Sequence, residues 1–123
     1  MEITNEECLD QIRTVTGNFD ERVNMDATFI DNLKLKLSEE GNAFRAETTA
    51  PTDDDITKQV IGRAGYYFHL TTEKTGAFFI WHDRVSKKFI FWGPDEYHTN
   101  HALGQIKYRI KIVTQRQNGI PTY

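Results

Sequence analysis

A chain of 123 residues, 38% hydrophobic and 27% charged, has the size and make-up of one compact unit. No run of about 18 apolar residues offers a membrane span, and the acidic start Met1-Glu2-Ile3-Thr4-Asn5-Glu6 does not read as a secretory signal. One cysteine, Cys8, leaves no partner for an internal disulfide and fits an intracellular setting, cytoplasm or nucleus, while the net charge of −3 argues against a tight, indiscriminate binder of polyanions.

Taken in chain order, Leu9, Ile12 and Val15 recur at helical spacing over residues 6–15, with Thr4 or Asn5 as the cap. Residues 29–37 are ambiguous. Leu33, Leu35 and Leu37 alternate with Lys34 and Lys36 as a strand would, while Phe29, Ile30, Leu33 and Leu37 suit a helix. The polar run Glu39-Glu40-Gly41-Asn42 favours a hairpin between residues 33–38 and a strand at about 43–49, where Phe44, Ala46 and Thr48 alternate with Arg45, Glu47 and Thr49. Pro51 and the acids Asp53, Asp54 and Asp55 then open a helix over residues 54–61. A second helix is predicted over residues 66–75, ended by Gly76 as a left-handed cap. Strands follow at about 77–83 and 89–92, joined by a turn at Val85-Ser86-Lys87-Lys88 and stopped by Gly93-Pro94. A last helix starts near Asp95 and runs to about Val113.

The junction of the two middle helices reads Val60-Ile61-Gly62-Arg63-Ala64-Gly65. Two glycines around a basic residue allow a tight turn and close approach of backbone to a ligand. The second helix begins there, so its first N–H groups favour an anion, and a phosphodiester fits. GxxG, then Tyr66, Tyr67 and Phe68, then Thr75-Gly76-Ala77, resembles the K-homology (KH) domain over about residues 44–113. The order βααββα is similar to the type I arrangement. The implied fold class is α+β: an antiparallel three-stranded sheet with helices on one face. Domain boundaries follow as an acidic N-terminal extension over residues 1–42, the KH unit over 43–114 and a tail over 115–123. Three features depart from the family pattern. Thr71 stands where an aliphatic is usual, with Leu70 beside it to take over the packing. Ala102 and Ile106 sit one residue late after Gly93, and the link from Pro51 to Gly62 is about two residues longer than usual.

The resemblance implies single-stranded nucleic-acid binding, RNA before DNA, in post-transcriptional regulation. Backbone near Gly62, Arg63, Ala64 and Gly65 would hold phosphates. A narrow groove lined by Ile61, Phe68, Phe79 or Ile80, and His82 would accept about four bases. Lys58, Tyr66, His69, Arg84, Lys87 and Lys88 complete the expected contacts. Charge supports that side. Residues 1–43 hold four basic against ten acidic side chains, and residues 44–123 hold eleven against eight, so the second part is +3. The family register turns Phe79, Trp81, Phe89 and Phe91 to the core, leaving Phe78, Ile80, Ile90 and Trp92 on the far face. An apolar face of that kind needs a cover. The cover is either the N-terminal extension, a second copy of the chain, or a protein docking on Phe78, Ile90 and Trp92. A protein-interaction or dimerisation module that docks through this sheet face or the N-terminal extension, with nucleic acid incidental, is therefore the other class of function. No cofactor is expected. Catalysis has little basis: His82-Asp83, and His98 with His101, are the only suggestive pairs, and a solvated helix face explains the latter better than a metal site.

Overall fold

In the computed structural model, residues 1–17, 33, 35–37 and 41–119 are described. They form β1 (Glu2–Thr4), α1 (Asn5–Gly17), β2 (Asn42–Thr49), α2 (Asp54–Ile61), a 3-10 turn (Arg63–Gly65), α3 (Tyr66–Thr75), β3 (Phe79–Asp83), β4 (Lys88–Gly93) and α4 (Glu96–Gln117). The class is mixed α and β, with an antiparallel sheet of order β1-β2-β4-β3. Among the described residues no helix is long and apolar enough to cross a membrane.

Local chemistry fixes the helix ends. The Thr4 hydroxyl accepts from the Glu7 N–H at 3.0 Å and the Glu7 carboxylate accepts from the Thr4 N–H at 3.2 Å. That reciprocal capping box makes Thr4 the cap of α1. Asp53 caps α2, accepting from the Asp55 and Ile56 N–H groups at 2.8 and 3.1 Å. Asp95 accepts from the His98 N–H at 2.8 Å to start α4. Gly76 ends α3 in the left-handed region, φ 79°.

The sheet separates two apolar clusters. On one face Ile56 and Val60 of α2, Phe68 of α3, and Ala102, Ile106 and Val113 of α4 pack on Ile80, Phe89 and Phe91. On the other, Ile3, Cys8 and Ile12 of the N-terminal segment, with Leu33 and Leu37, pack on Ala43, Ile90 and Trp92. Trp92 is 1% and Ile90 5% exposed, and the Trp92 indole donates to Gln11 Oε1 at 2.9 Å. At about 25 cal/mol per Å² of apolar surface, side chains of this size contribute roughly 1.5–3 kcal/mol each on burial, enough to hold α1 on the sheet.

Four expectations need correcting. The sheet has four strands, not three: Glu2–Thr4 pairs with Asn42–Phe44 through Ile3↔Ala43. That pairing occupies the edge of β2 which the hairpin from residues 33–38 required. Leu33, Leu35 and Lys36 are helical, and the Leu37 N–H donates to the Leu33 carbonyl at 3.0 Å. Glu2–Thr4 is thus a strand of the same sheet as β2, and α4 runs from Glu96 to Gln117. The facing of β3 is also reversed. Ile80 is opposite Phe91 and Trp81 opposite Ile90, so Ile80 enters the helix-covered core while Phe79 and Trp81 join the face under α1. A slip of one residue moves every side chain of a strand to the other face. At Thr71, the threonine itself is buried, its hydroxyl donating to the Tyr67 carbonyl at 2.7 Å, while Leu70 stays half-exposed.

Candidate nucleic-acid interface

Between α2 and α3 the backbone turns through three left-handed residues. Gly62 has φ 82° and ψ 165°, Ala64 φ 54°, and Gly65 φ 77°. The Gly62 conformation is one that essentially only glycine occupies. The Gly62 N–H donates to the Lys58 carbonyl at 2.9 Å and the Gly65 N–H to the Gly62 carbonyl at 3.1 Å. The two glycines differ in surroundings. A Cβ at Gly62 would lie 2.5 Å from Tyr67 Cδ2 and 3.0 Å from the Tyr67 nitrogen, whereas one at Gly65 would meet nothing within 4 Å. A side chain is thus excluded at Gly62 and has room at Gly65, and both glycines are half-buried. Neither the 3-10 turn nor α3 has a side-chain cap. The Gly65 and Tyr66 N–H groups already donate to the Gly62 and Arg63 carbonyls, so an anion at this turn would meet the backbone at the exposed Arg63 and Ala64.

The turn is held from behind by Arg109 of α4. Its Nε donates to the Val60 carbonyl at 3.1 Å and its Nη2 to the Gln59 carbonyl at 2.6 Å. These are carbonyls of the last turn of α2, where a cation suits the helix dipole. The guanidinium carbon also sits 3.2 Å above the centroid of the Tyr67 ring. The same ring closes the space beside Gly62. Arg109, Tyr67 and Gly62 thus form one stack that ties α4 to the GxxG turn. Sequence reasoning passed over Arg109, since one arginine on a helix flanked by Ile106 and Ile110 carries no local signal.

The other expected contacts divide by face. Ile61 is half-buried beside the turn, and Tyr66 is exposed with its ring edge-on to Tyr67 at 5.0 Å. His82 of β3 lies on the helix-covered face, edge-on to Phe89 at 5.3 Å. Burial, with the Arg84 charge second, holds its pKa below the ordinary imidazole value, against the opposing pull of Asp83 and Asp54. Lys58, Arg63, Arg84 and Lys87 project into solvent. Lys87 sits at φ 56° in a turn fixed by Asp83, which accepts from the Val85 N–H at 3.0 Å and the Ser86 hydroxyl at 2.9 Å.

Several residues do not stand where a groove lining would. Phe68 and Ile80 are core side chains, Phe68 edge-on to Phe89 at 5.2 Å. Phe79 lies on the opposite face, stacked on Trp92 at 5.9 Å. Lys88 shares that opposite face and pairs with Glu47 at 2.9 Å, which holds the Glu47 carboxyl below its usual range. His69 is on the outer side of α3, paired with Glu73 at 2.9 Å. Of the expected protein interface, Ile90 and Trp92 are covered by the chain's own α1, and Phe78 is half-buried beside them. His98 is engaged by Asp95, its Nδ1 2.8 Å from both carboxylate oxygens. Among the described residues no group of three or more His, Cys, Asp or Glu is placed to hold a metal.

No family model, no curated protein and no solved structure matches the chain.

Proposed function

We propose that this chain is a type I KH domain that binds single-stranded nucleic acid, RNA before DNA, through its GxxG turn. The observation that carries the reading is the turn itself: a left-handed, uncapped backbone opening α3, with Gly65 clear of neighbours and Arg63 exposed. Such a turn takes a phosphate on backbone N–H groups where the helix dipole favours negative charge. The element order from β2 to α4 is βααββα, and α2, α3 and α4 share one face of the sheet, as the resemblance implies. Bases would then lie along the strip from Ile61 and Tyr66 to His82, with Phe68 and Ile80 supporting it from beneath. Arg84 and Lys87 would flank the backbone at the far end. His82, held neutral, offers a donor or an acceptor to a base edge without adding charge. A protein docking on the aromatic sheet face is the second reading: α1 covers Ile90 and Trp92, while Phe78, Phe79 and Trp81 of that face stay half-buried.

The test is Arg63→Asp with Ala64→Asp, titrated with short single-stranded RNA pools. Position 64 is left-handed, and aspartate tolerates that region better than most residues, so the fold should survive. Two carboxylates at the phosphate position should abolish binding. A folded double variant with wild-type affinity would remove the proposal.

A further inference from the structure

Helix α4 is far more basic than the chain that contains it. It carries Lys107, Arg109, Lys111 and Arg116 against the single acid Glu96, while the whole chain is −3. Its core side is Ala102, Ile106 and Val113. Steps of four, three, four and three residues from Tyr97 reach His101, Gly104, Tyr108 and Lys111, which puts all five on one stripe diametrically opposite that core side. Tyr97 is 74% and Tyr108 63% exposed. Their Cα atoms are about 16 Å apart along the axis at 1.5 Å per residue. The Tyr97 ring rests against His98 and His101, at 5.3 and 6.2 Å. Lys107 flanks the stripe, and neither it nor Lys111 has an ion-pair partner among the described residues.

Gly104 is the unexplained residue. A glycine in a helix interior destabilises it by roughly 1 kcal/mol relative to alanine. Here a Cβ would meet nothing within 4 Å, so packing gives no reason for it. What a glycine supplies midway between two exposed tyrosines is a notch where a ligand reaches the backbone.

We propose that this stripe is a second contact for single-stranded nucleic acid, extending the footprint of a strand whose other part lies on the GxxG turn. The proposal rests on the nucleic-acid reading of that turn. Aromatic rings accept stacked bases, and unpaired lysines beside them accept phosphates. The stripe carries no acid and its aliphatic neighbour Ile112 is half-buried, so its exposed groups, two rings and lysines, complement a polyanion with flat rings.

The experiment compares random RNA pools of four and twelve nucleotides by fluorescence anisotropy on the full chain. Wild type should bind the longer pool more tightly than the number of available registers explains. Tyr97→Ala with Tyr108→Ala should weaken the longer pool about tenfold and leave the shorter unchanged, while the double Phe variant keeps both affinities. Lys107→Ala with Lys111→Ala should reduce the log–log salt slope for the longer pool by about 1.4. Wild-type affinity of the double Ala variant for the longer pool overturns the proposal, as does failure of that pool to bind at all. So does equal weakening of both pools, which would mean a structural effect. The turn is tested apart: if Arg63→Asp with Ala64→Asp leaves the longer pool bound while the tyrosine variant does not, the stripe stands and the reading of the turn falls.

Discussion

Replacing Arg109 with alanine tests how the GxxG turn is held. The substitution removes a charged donor from two carbonyls and a cation from the Tyr67 ring. The Val60 carbonyl is partly buried, so losing its charged partner costs about 1.5 kcal/mol. The Gln59 carbonyl is exposed, water replaces the donor, and about 0.5 kcal/mol is lost. The stack on Tyr67 is half-exposed and contributes about 0.5–1 kcal/mol. Arg109→Ala should therefore destabilise the chain by about 2.5–3 kcal/mol, a fall of roughly 10–15 °C in Tm. Arg109→Lys keeps the charge but loses the planar fork, and should recover less than half of that. Urea denaturation at constant m gives the stability difference directly. RNA affinity, measured well below the transition, should also fall, because the ring that packs beside Gly62 is no longer pinned. A variant within about 0.5 kcal/mol of wild type would show that the clamp contributes nothing beyond a surface ion contact. Unchanged RNA affinity in a destabilised variant would separate the clamp from function.

The two loop glycines should respond unequally. Gly62→Ala, at a conformation open only to glycine and against Tyr67, should cost about 3 kcal/mol, and Gly65→Ala, left-handed but uncrowded, about 1 kcal/mol, so equal losses by denaturation would contradict the packing. The Cys8 thiol is pushed up to about 12 by burial; iodoacetamide at pH 8 should alkylate the native chain about a thousandfold more slowly than the unfolded one, and rapid native labelling would mean that α1 does not stay docked. His82 has a folded pKa below its unfolded value, so the unfolded chain takes up its proton first as pH falls. Its contribution to stability is flat above about pH 6.5 and is lost as pH drops below it, and an NMR titration midpoint at or above 6.5 would refute this.

What the sequence made legible follows from how local each signal is. The spans of α2 and α3 could be read to the residue because their ends are set by nearby chemistry: Asp53 at one end, Gly62 between, Gly76 at the other. For α1 the local residues offer two caps, Thr4 and Asn5, and the reciprocal bonds with Glu7 select Thr4. β1 was not legible, since three residues with one buried side chain give no period to detect. The facing of β3 failed for the opposite reason. Phe78, Phe79, Ile80 and Trp81 are all apolar, so alternation has no phase there, and the strand begins at Phe79 rather than at Ala77. Ala77 is in fact a core residue outside the strand, and only the pairing of Ile80 with Phe91 reveals which face each side chain takes. The candidate site was half legible for the same cause. Gly62, Arg63 and Gly65 are adjacent in the chain, whereas Arg109 reaches the turn across 49 residues and belongs to no motif.

The charge of the chain makes sense only once the two faces of the sheet are distinguished. A net −3 should weaken any approach of phosphate, and the acids are concentrated before residue 44. The described ones on α1, Glu6, Glu7 and Asp10, are exposed on the helix that covers Ile90 and Trp92. α2, α3 and the GxxG turn belong to the opposite face. Helix-to-sheet layers are about 10 Å apart, so roughly 20 Å separates α1 from the helices that carry the turn. That is more than twice the Debye length of about 8 Å at physiological ionic strength. These α1 carboxylates are thus screened from the turn by distance and salt, while the helix that carries them covers an apolar face that would otherwise aggregate. Folding β1 and α1 onto the far side lets Glu6, Glu7 and Asp10 solubilise one face of the sheet at a distance from the GxxG turn on the other.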